Sequence, residues 1–247
     1  MSGSLVIVGT GPGKPELMTP ATRAALAQAT DLVGYGPYLA RVPQLRPDQC
    51  RHASDNRVEL QRARQALALA AAGHKVAVVS GGDPGVFAMA AAVFEAVEAG
   101  DPAWRCLDIR VEPGVTAMLA AAAEAGAPLG ADFCAISLSD NLKSWRTIER
   151  RLQAAAQADF VIALYNPASK ARPHRLGEAF ALLRTVRSAS TPVLFVRAAG
   201  TDEAQVVATT LQEAAAVTAD MRTLVIVGAS TTRRVGRWTY TPRGEMS

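Results

Sequence analysis

Short runs of valine, isoleucine and leucine recur along the chain, and between them lie longer alanine-rich stretches in which polar residues return at helical spacing. Buried strands alternating with amphipathic helices give this pattern, so it predicts an α/β fold with parallel strands. The strand-like runs are Leu5–Val8, Lys75–Ser80, Leu107–Val111, Cys134–Leu138, Phe160–Tyr165, Val193–Arg197, Gln205–Thr210 and Thr223–Val227. Several helix starts are also written in side chains. Thr19 is expected to cap a helix with Pro20 at its first position, Asp55 or Asn56 to precede a helix through Glu59 to Ala72, and Ser144 to precede Trp145 to Ala156.

Glu112-Pro113-Gly114 ends one strand run and opens a helical stretch. This break predicts two α/β domains, residues 1–113 with a mostly parallel sheet and residues 114–247 with a mixed sheet, because Val193 to Val227 holds three closely spaced strands able to pair antiparallel in part. A cleft between such halves is the default place for a ligand.

Composition narrows the function. The 247 residues are 49% hydrophobic and 19% charged, which excludes a disordered or fibrous chain. The apolar runs are far shorter than a membrane span, and no basic-then-apolar leader precedes Leu5, so a cytoplasmic protein without a membrane partner is expected. Cys50, Cys106 and Cys134 are too widely separated for a thiolate metal cluster, and no metal site is expected. The chain holds 22 Arg and 4 Lys with a net charge of +4. Guanidinium forks grip carboxylates or phosphates in pairs, but 49 alanines beside 22 arginines also fit a coding bias, and +4 is modest for a nucleic-acid binder.

Three glycine-rich turns carry the chemistry. Gly9-Thr10-Gly11-Pro12-Gly13 follows the first strand where a dinucleotide fingerprint would lie, yet Lys14 stands at its third glycine position and Pro12 lacks an N–H for a phosphate. A tight turn is the alternative. Gly81-Gly82-Asp83-Pro84-Gly85 follows the strand ending at Ser80 and leads into an expected helix from Val86 through Val97. Two glycines allow close approach of backbone to a ligand, with Asp83 as an acceptor for hydroxyls, an amine or a cation; alternatively Asp83 caps that helix. Pro113-Gly114-Val115-Thr116-Ala117 is a third strand-to-helix turn.

In this order and spacing, the three turns resemble those of the tetrapyrrole methyltransferase family, over the whole chain. The blocks Val79–Ala90, Asp132–Leu142, Ala163-Leu164-Tyr165-Asn166-Pro167, Ser54-Asp55-Asn56-Arg57 and Tyr240-Thr241-Pro242-Arg243 resemble its ring-contracting branch. The resemblance implies two α/β domains, usually in a homodimer, and S-adenosyl-L-methionine (SAM) bound in the interdomain cleft as methyl donor. It implies methylation of the tetrapyrrole precorrin-3B at C17, with ring contraction to precorrin-4 in aerobic cobalamin biosynthesis. Carried over by motif, the SAM contacts are Pro12, Gly81, Gly82, Asp83, Val86, Thr116, Ala117, Asn166 and Ala199.

A substrate bearing many carboxylates gives the arginines a purpose, and the groups Lys143/Arg146/Arg150/Arg151, Lys170/Arg172/Arg175 and Arg233/Arg234/Arg237/Arg243 become candidates for it. Ring contraction calls for proton transfer, for which Ser137, Ser139, Asp140, Tyr165 and Asp83 are in reach by motif; Ser139, Asp140 and Tyr165 are taken as the catalytic candidates. His52, His74 and His174 fall outside the motifs and are expected on the surface or in the core. A cobalt-containing counterpart of the substrate is the near alternative. An rRNA ribose methyltransferase of the same superfamily and a non-catalytic α/β module are more distant ones, the former requiring salt-dependent RNA binding.

Overall fold

The computed structural model describes residues 3–43, 46–55, 58–169 and 171–244; Asn56, Arg57 and Lys170 lie outside them. Its contacts separate Met1–Ala117 from Met118–Ser247.

The first unit is built on five strands: β1 (Ser4–Gly9), β2 (Asp31–Tyr35), β3 (Cys50–Ser54), β4 (Lys75–Ser80) and β5 (Asp108–Glu112). They lie in the order β3-β2-β4-β1-β5, all parallel. Helices α1 (Pro20–Gln28), α2 (Gly36–Leu39), α3 (Glu59–Ala71) and α4 (Met89–Ala99) connect them. Alternate residues of β1 and β4 serve the two faces. Leu5, Ile7, Val76 and Val78 pack with Ala63, Leu67 and Val93, while Val8, Ala77 and Val79 pack with Leu26 and Leu39. Burial on both faces is why these strands read as continuous apolar runs. Strands β2 and β3 escaped that reading because Gly34 interrupts the first and the second is a polar edge strand.

Thr19 caps α1 as expected, its side chain accepting from the Thr22 amide, with Pro20 next. Two helix starts differ from expectation. α3 is preceded by Val58 without a side-chain cap, and the Asp55 carbonyl instead accepts from Arg62. α4 begins at Met89 and not at Val86, because Phe87 is left-handed (φ 51°) and Ala88 is extended, neither of which continues a helix.

The second unit takes in α5 (Ala117–Ala125) from Met118 on, followed by β6 (Gly126–Ala127), β7 (Phe133–Ser137), α6 (Trp145–Gln157), β8 (Val161–Tyr165), α7 (Arg175–Leu183), β9 (Pro192–Arg197), β10 (Gln205–Thr210), β11 (Thr223–Val227), β12 (Arg233–Val235) and β13 (Trp238–Tyr240). Its main sheet is ordered β10-β9-β11-β8-β7 and is mixed: β7 and β8 are parallel, and β11 and β10 run against their neighbours. Ser144 caps α6 through the Thr147 amide, as its position predicted. Leu152, Ile162, Leu164, Phe180, Phe195 and Val225 form the core beneath the helices. Buried Arg187 braces this unit, donating to the carbonyls of Ala156, Gly228 and Phe160 at 3.0, 2.9 and 2.8 Å. No described helix is long and apolar enough to cross a membrane.

Candidate functional site

The three glycine-rich turns leave the carboxyl ends of β1, β4 and β5, which are neighbours in the sheet. In an open parallel sheet this edge is where ligands bind. The turns are bonded into one body. Gly11 and Gly82 exchange two backbone hydrogen bonds, Gly11 N to Gly82 O at 3.1 Å and Gly82 N to Gly11 O at 2.8 Å. Thr10 closes the first turn by donating both its amide and its hydroxyl to the Ser80 carbonyl. Amides spent in this way are not presented to a phosphate, and the dinucleotide reading of the first turn fails for that reason as well as for Pro12.

Asp83 does not cap a helix. Its Oδ1 accepts from the Gly85 amide at 2.8 Å and its Oδ2 from the Gly114 amide at 3.0 Å, so one carboxylate closes the second turn and ties the third to it. The approach is close enough to demand glycine. A Cβ on Gly114 would stand 2.2 Å from the Gly82 carbonyl oxygen, and one on Gly9 would stand 2.7 Å from the same atom. Gly82 itself is left-handed, at φ 65°. Pro12, Gly81, Gly82, Asp83, Val86, Thr116 and Ala117 therefore all lie on these three turns. Gly81 has a further reason to lack a side chain: a Cβ there would fall 2.8 Å from Cζ of Tyr38, whose ring occupies that direction. Tyr38 is not among the expected residues; its only signal in sequence is the Gly34-Tyr35-Gly36-Pro37-Tyr38 punctuation where β2 passes into α2.

In the second unit, β7, β8 and β9 run in one direction, so the residues after them leave one edge of the sheet. Ser139 and Asp140 follow β7, Tyr165 ends β8 with Asn166 directly after it, and Ala199 follows β9. The buried Ser137 hydroxyl joins two of these segments, accepting from Asn166 Nδ2 at 2.9 Å and from the Ser139 amide at 3.3 Å. Asn166 is left-handed at φ 52°, a conformation asparagine tolerates better than most residues. The Tyr165 hydroxyl accepts from the Met118 amide at 3.1 Å, in the first turn of α5. Ala199 is buried, next to the left-handed Ala198.

Asp140 is gripped by two arginines. Arg175 reaches Oδ2 through Nε at 3.1 Å and Nη2 at 2.8 Å, and Arg172 Nε lies 3.6 Å from Oδ1. Arg172 also donates to the Leu138 carbonyl, and Arg175 stacks over Trp145 at 4.5 Å. Desolvation pushes the Asp140 carboxyl up, but the hydrogen bond and charge of Arg175 prevail and hold it below the usual carboxylate range. These two arginines, among the candidates for contact with substrate, are spent on the Leu138–Asp140 segment. Arg234 and Arg237 are exposed on the β12–β13 hairpin, the latter 4.2 Å over Trp238.

A family model described as Tetrapyrrole (Corrin/Porphyrin) Methylases matches residues 4–215. A precorrin-3B C(17)-methyltransferase from Sinorhizobium sp is 60% identical over 98% of this chain and 97% of that protein. The crystal structure of the methyltransferase CobJ superposes with a TM-score of 0.95 at 54% identity, covering 98% of this chain and all of that one. A uroporphyrin-III C-methyltransferase from Thermus thermophilus, solved with S-adenosyl homocysteine, superposes at 0.71 with 26% identity over 92% of this chain and 97% of that one. The turns that reading by motif picked out and the extent of these matches lead to one assignment: the chain belongs to the tetrapyrrole (corrin/porphyrin) methylases.

Proposed function

We propose that the protein is a SAM-dependent C-methyltransferase that methylates precorrin-3B at C17 and contracts the macrocycle to precorrin-4 in cobalamin biosynthesis. The likeness to the Sinorhizobium enzyme over nearly the full length of both chains carries the reading. Its setting is a cytoplasmic homodimer acting on a small molecule, without nucleic acid or membrane.

The donor set of the first unit suits SAM. The turns offer glycine backbone, Thr116 and the start of α5, with no lysine or arginine fork between Gly81 and Ala117 on the second and third turns, and SAM bears no phosphate to require one. Pro12, Gly81, Gly82, Asp83, Val86, Thr116 and Ala117, with Asn166 and Ala199 from the second unit, are the residues proposed to hold it. Bound there, SAM supplies a methyl group on a sulfonium, and transfer to C17 breaks one carbon–sulfur bond and returns S-adenosyl-L-homocysteine. The electron-rich pyrrolic carbon needs orientation more than a strong base. Ring contraction needs the C20 hydroxyl proton removed as the carbon bond migrates. Ser139 and Tyr165 are proposed to handle that proton. Asp140, ionised at neutral pH and paired with Arg175, is proposed to hold the segment that carries Ser139 and not to carry the proton itself.

Incubation with SAM and precorrin-3B tests the reading, with product mass and NMR as readout and the cobalt-containing counterpart run in parallel. A C17-methylated, contracted product from the metal-free substrate is expected. Recovery of the starting macrocycle sinks the assignment, and turnover of the cobalt form alone moves it to the other route.

A further inference from the structure

The sheet order β3-β2-β4-β1-β5 divides the ligand edge of the first unit. The three glycine-rich turns occupy the side of β4, β1 and β5. The ends of β2 and β3 lie on the same edge beyond β4 and carry different chemistry. β2 ends at Tyr35 and passes into α2, which holds Tyr38; β3 ends at Ser54, followed by Asp55.

Tyr38 joins the two sides, because its ring fills the space a side chain at Gly81 would need. Tyr35 meets it edge-on, with ring centroids 5.4 Å apart. The guanidinium of Arg41, an exposed residue, lies 5.9 Å from the Tyr38 ring centroid. Among the described residues that guanidinium makes no hydrogen bond or ion pair, and neither tyrosine hydroxyl makes a hydrogen bond. Phe87, 52% exposed and left-handed, closes the second turn.

The surroundings are held firmly. Buried Arg62 donates through Nε to Ser54 Oγ at 2.8 Å and through Nη2 to the Asp55 carbonyl at 2.6 Å, and its Nη1 lies 3.3 Å from Sδ of Met89 at the start of α4. The Ser54-Asp55 end of β3, singled out by motif but given no part in SAM binding, is thereby fixed to the helix that follows the second turn.

We propose that this side of the edge is the tetrapyrrole subsite: Tyr38 and Tyr35 present aromatic surface to the pyrrole rings, and Arg41 grips a peripheral carboxylate. The inference rests on the proposed function and adds the residues that receive the acceptor. The donor turns are bonded to one another on the other side of β4 and meet this cluster at Gly81, so methyl donor and acceptor become neighbours across one glycine. An aromatic surface with an unmatched guanidinium complements a macrocycle edged with carboxylates.

Arg41→Gln and Tyr38→Leu test it, with KM for precorrin-3B from steady-state turnover and SAM affinity from calorimetry. Each variant is expected to raise the tetrapyrrole KM about tenfold, as loss of a charge-assisted contact or a stacking surface does. For Arg41→Gln the difference from wild type shrinks as salt is added. SAM affinity stays within about twofold of wild type, which also shows that the variants are folded; Arg41 is exposed, so that variant remains decisive if Tyr38→Leu does not fold. Unchanged KM in both, with wild type active, overturns the subsite and leaves the function standing. Weakened SAM binding with unchanged KM assigns the cluster to the donor and overturns it as well. A wild-type protein that does not turn over precorrin-3B removes the proposed function and this inference together.

Discussion

The carboxylate of Asp83 accepts the Gly114 amide at 3.0 Å across a separation of 31 residues, so the second and third turns are held together by one side chain. Its other oxygen closes its own turn on Gly85. Both are charge-assisted bonds, and their loss frees the turns from each other more than it removes a contact to ligand. Asp83→Ala is expected to weaken SAM binding about tenfold in a calorimetric titration while the fold persists. Asp83→Asn restores one acceptor but sets an NH₂ group against an amide, so it rescues only part of the loss. Unchanged affinity in Asp83→Ala removes this link from the site.

Gly114 tests the same assembly by crowding. A methyl group there meets the Gly82 carbonyl and the Gly9 backbone, none of which is the movable end of a side chain. Gly114→Ala is expected to cost about 1–3 kcal/mol in denaturant unfolding, as overpacking does, and to abolish measurable SAM binding. A variant that binds SAM normally shows that the turns separate without consequence.

Asp140 and Arg175 separate a positioning role from proton transfer. A carboxyl held low by two arginines is a poor proton donor near neutrality. Asp140→Asn is expected to lower kcat about tenfold while both limbs of the pH–rate profile keep their midpoints, and Arg175→Gln should do the same. Disappearance of the acidic limb in Asp140→Asn identifies Asp140 as the base itself.

Apolar periodicity made the continuous strands legible, since β1, β4, β8, β9 and β11 are buried and read as unbroken runs. It could not find β2 and β3, which depend on main-chain pairing with neighbours far away in sequence. The turns were legible because glycine and proline mark backbone that other residues resist. The partners were not: that Asp83 reaches Gly114, that Tyr38 fills the space beside Gly81, and that Arg175 belongs to Asp140 are consequences of strand order and not of spacing. Arginine shows the limit most clearly. Arg62 and Arg187 are buried braces, Arg172 and Arg175 hold a loop, and Arg41 is exposed over a ring, yet their residue type is the same.

Two of the three histidines outside the motifs, His52 and His74, form a cluster of their own with Asp31. His52 Nε2 lies 2.8 Å from one Asp31 oxygen and His74 Nδ1 2.8 Å from the other, and Thr30 Oγ1 donates to the second oxygen. The cluster joins β2, β3 and the approach to β4 at the amino-terminal side of the sheet, opposite the glycine-rich turns. Burial pushes the Asp31 carboxyl up, but hydrogen bonds from His52, Thr30 and His74 outweigh it, leaving the value below the ordinary 3.8. A carboxyl with a lower value folded than unfolded releases its proton more readily when folded. The stability it contributes is complete above the unfolded value and is lost as pH falls through the folded one. Wild-type protein should therefore lose stability steeply below about pH 4 in denaturant titrations. Asp31→Asn should be about 2 kcal/mol less stable at pH 7 and show a shallower fall on the acid side, with SAM affinity unaffected. An acid limb of equal slope in the two proteins would show that the Asp31 cluster does not govern it.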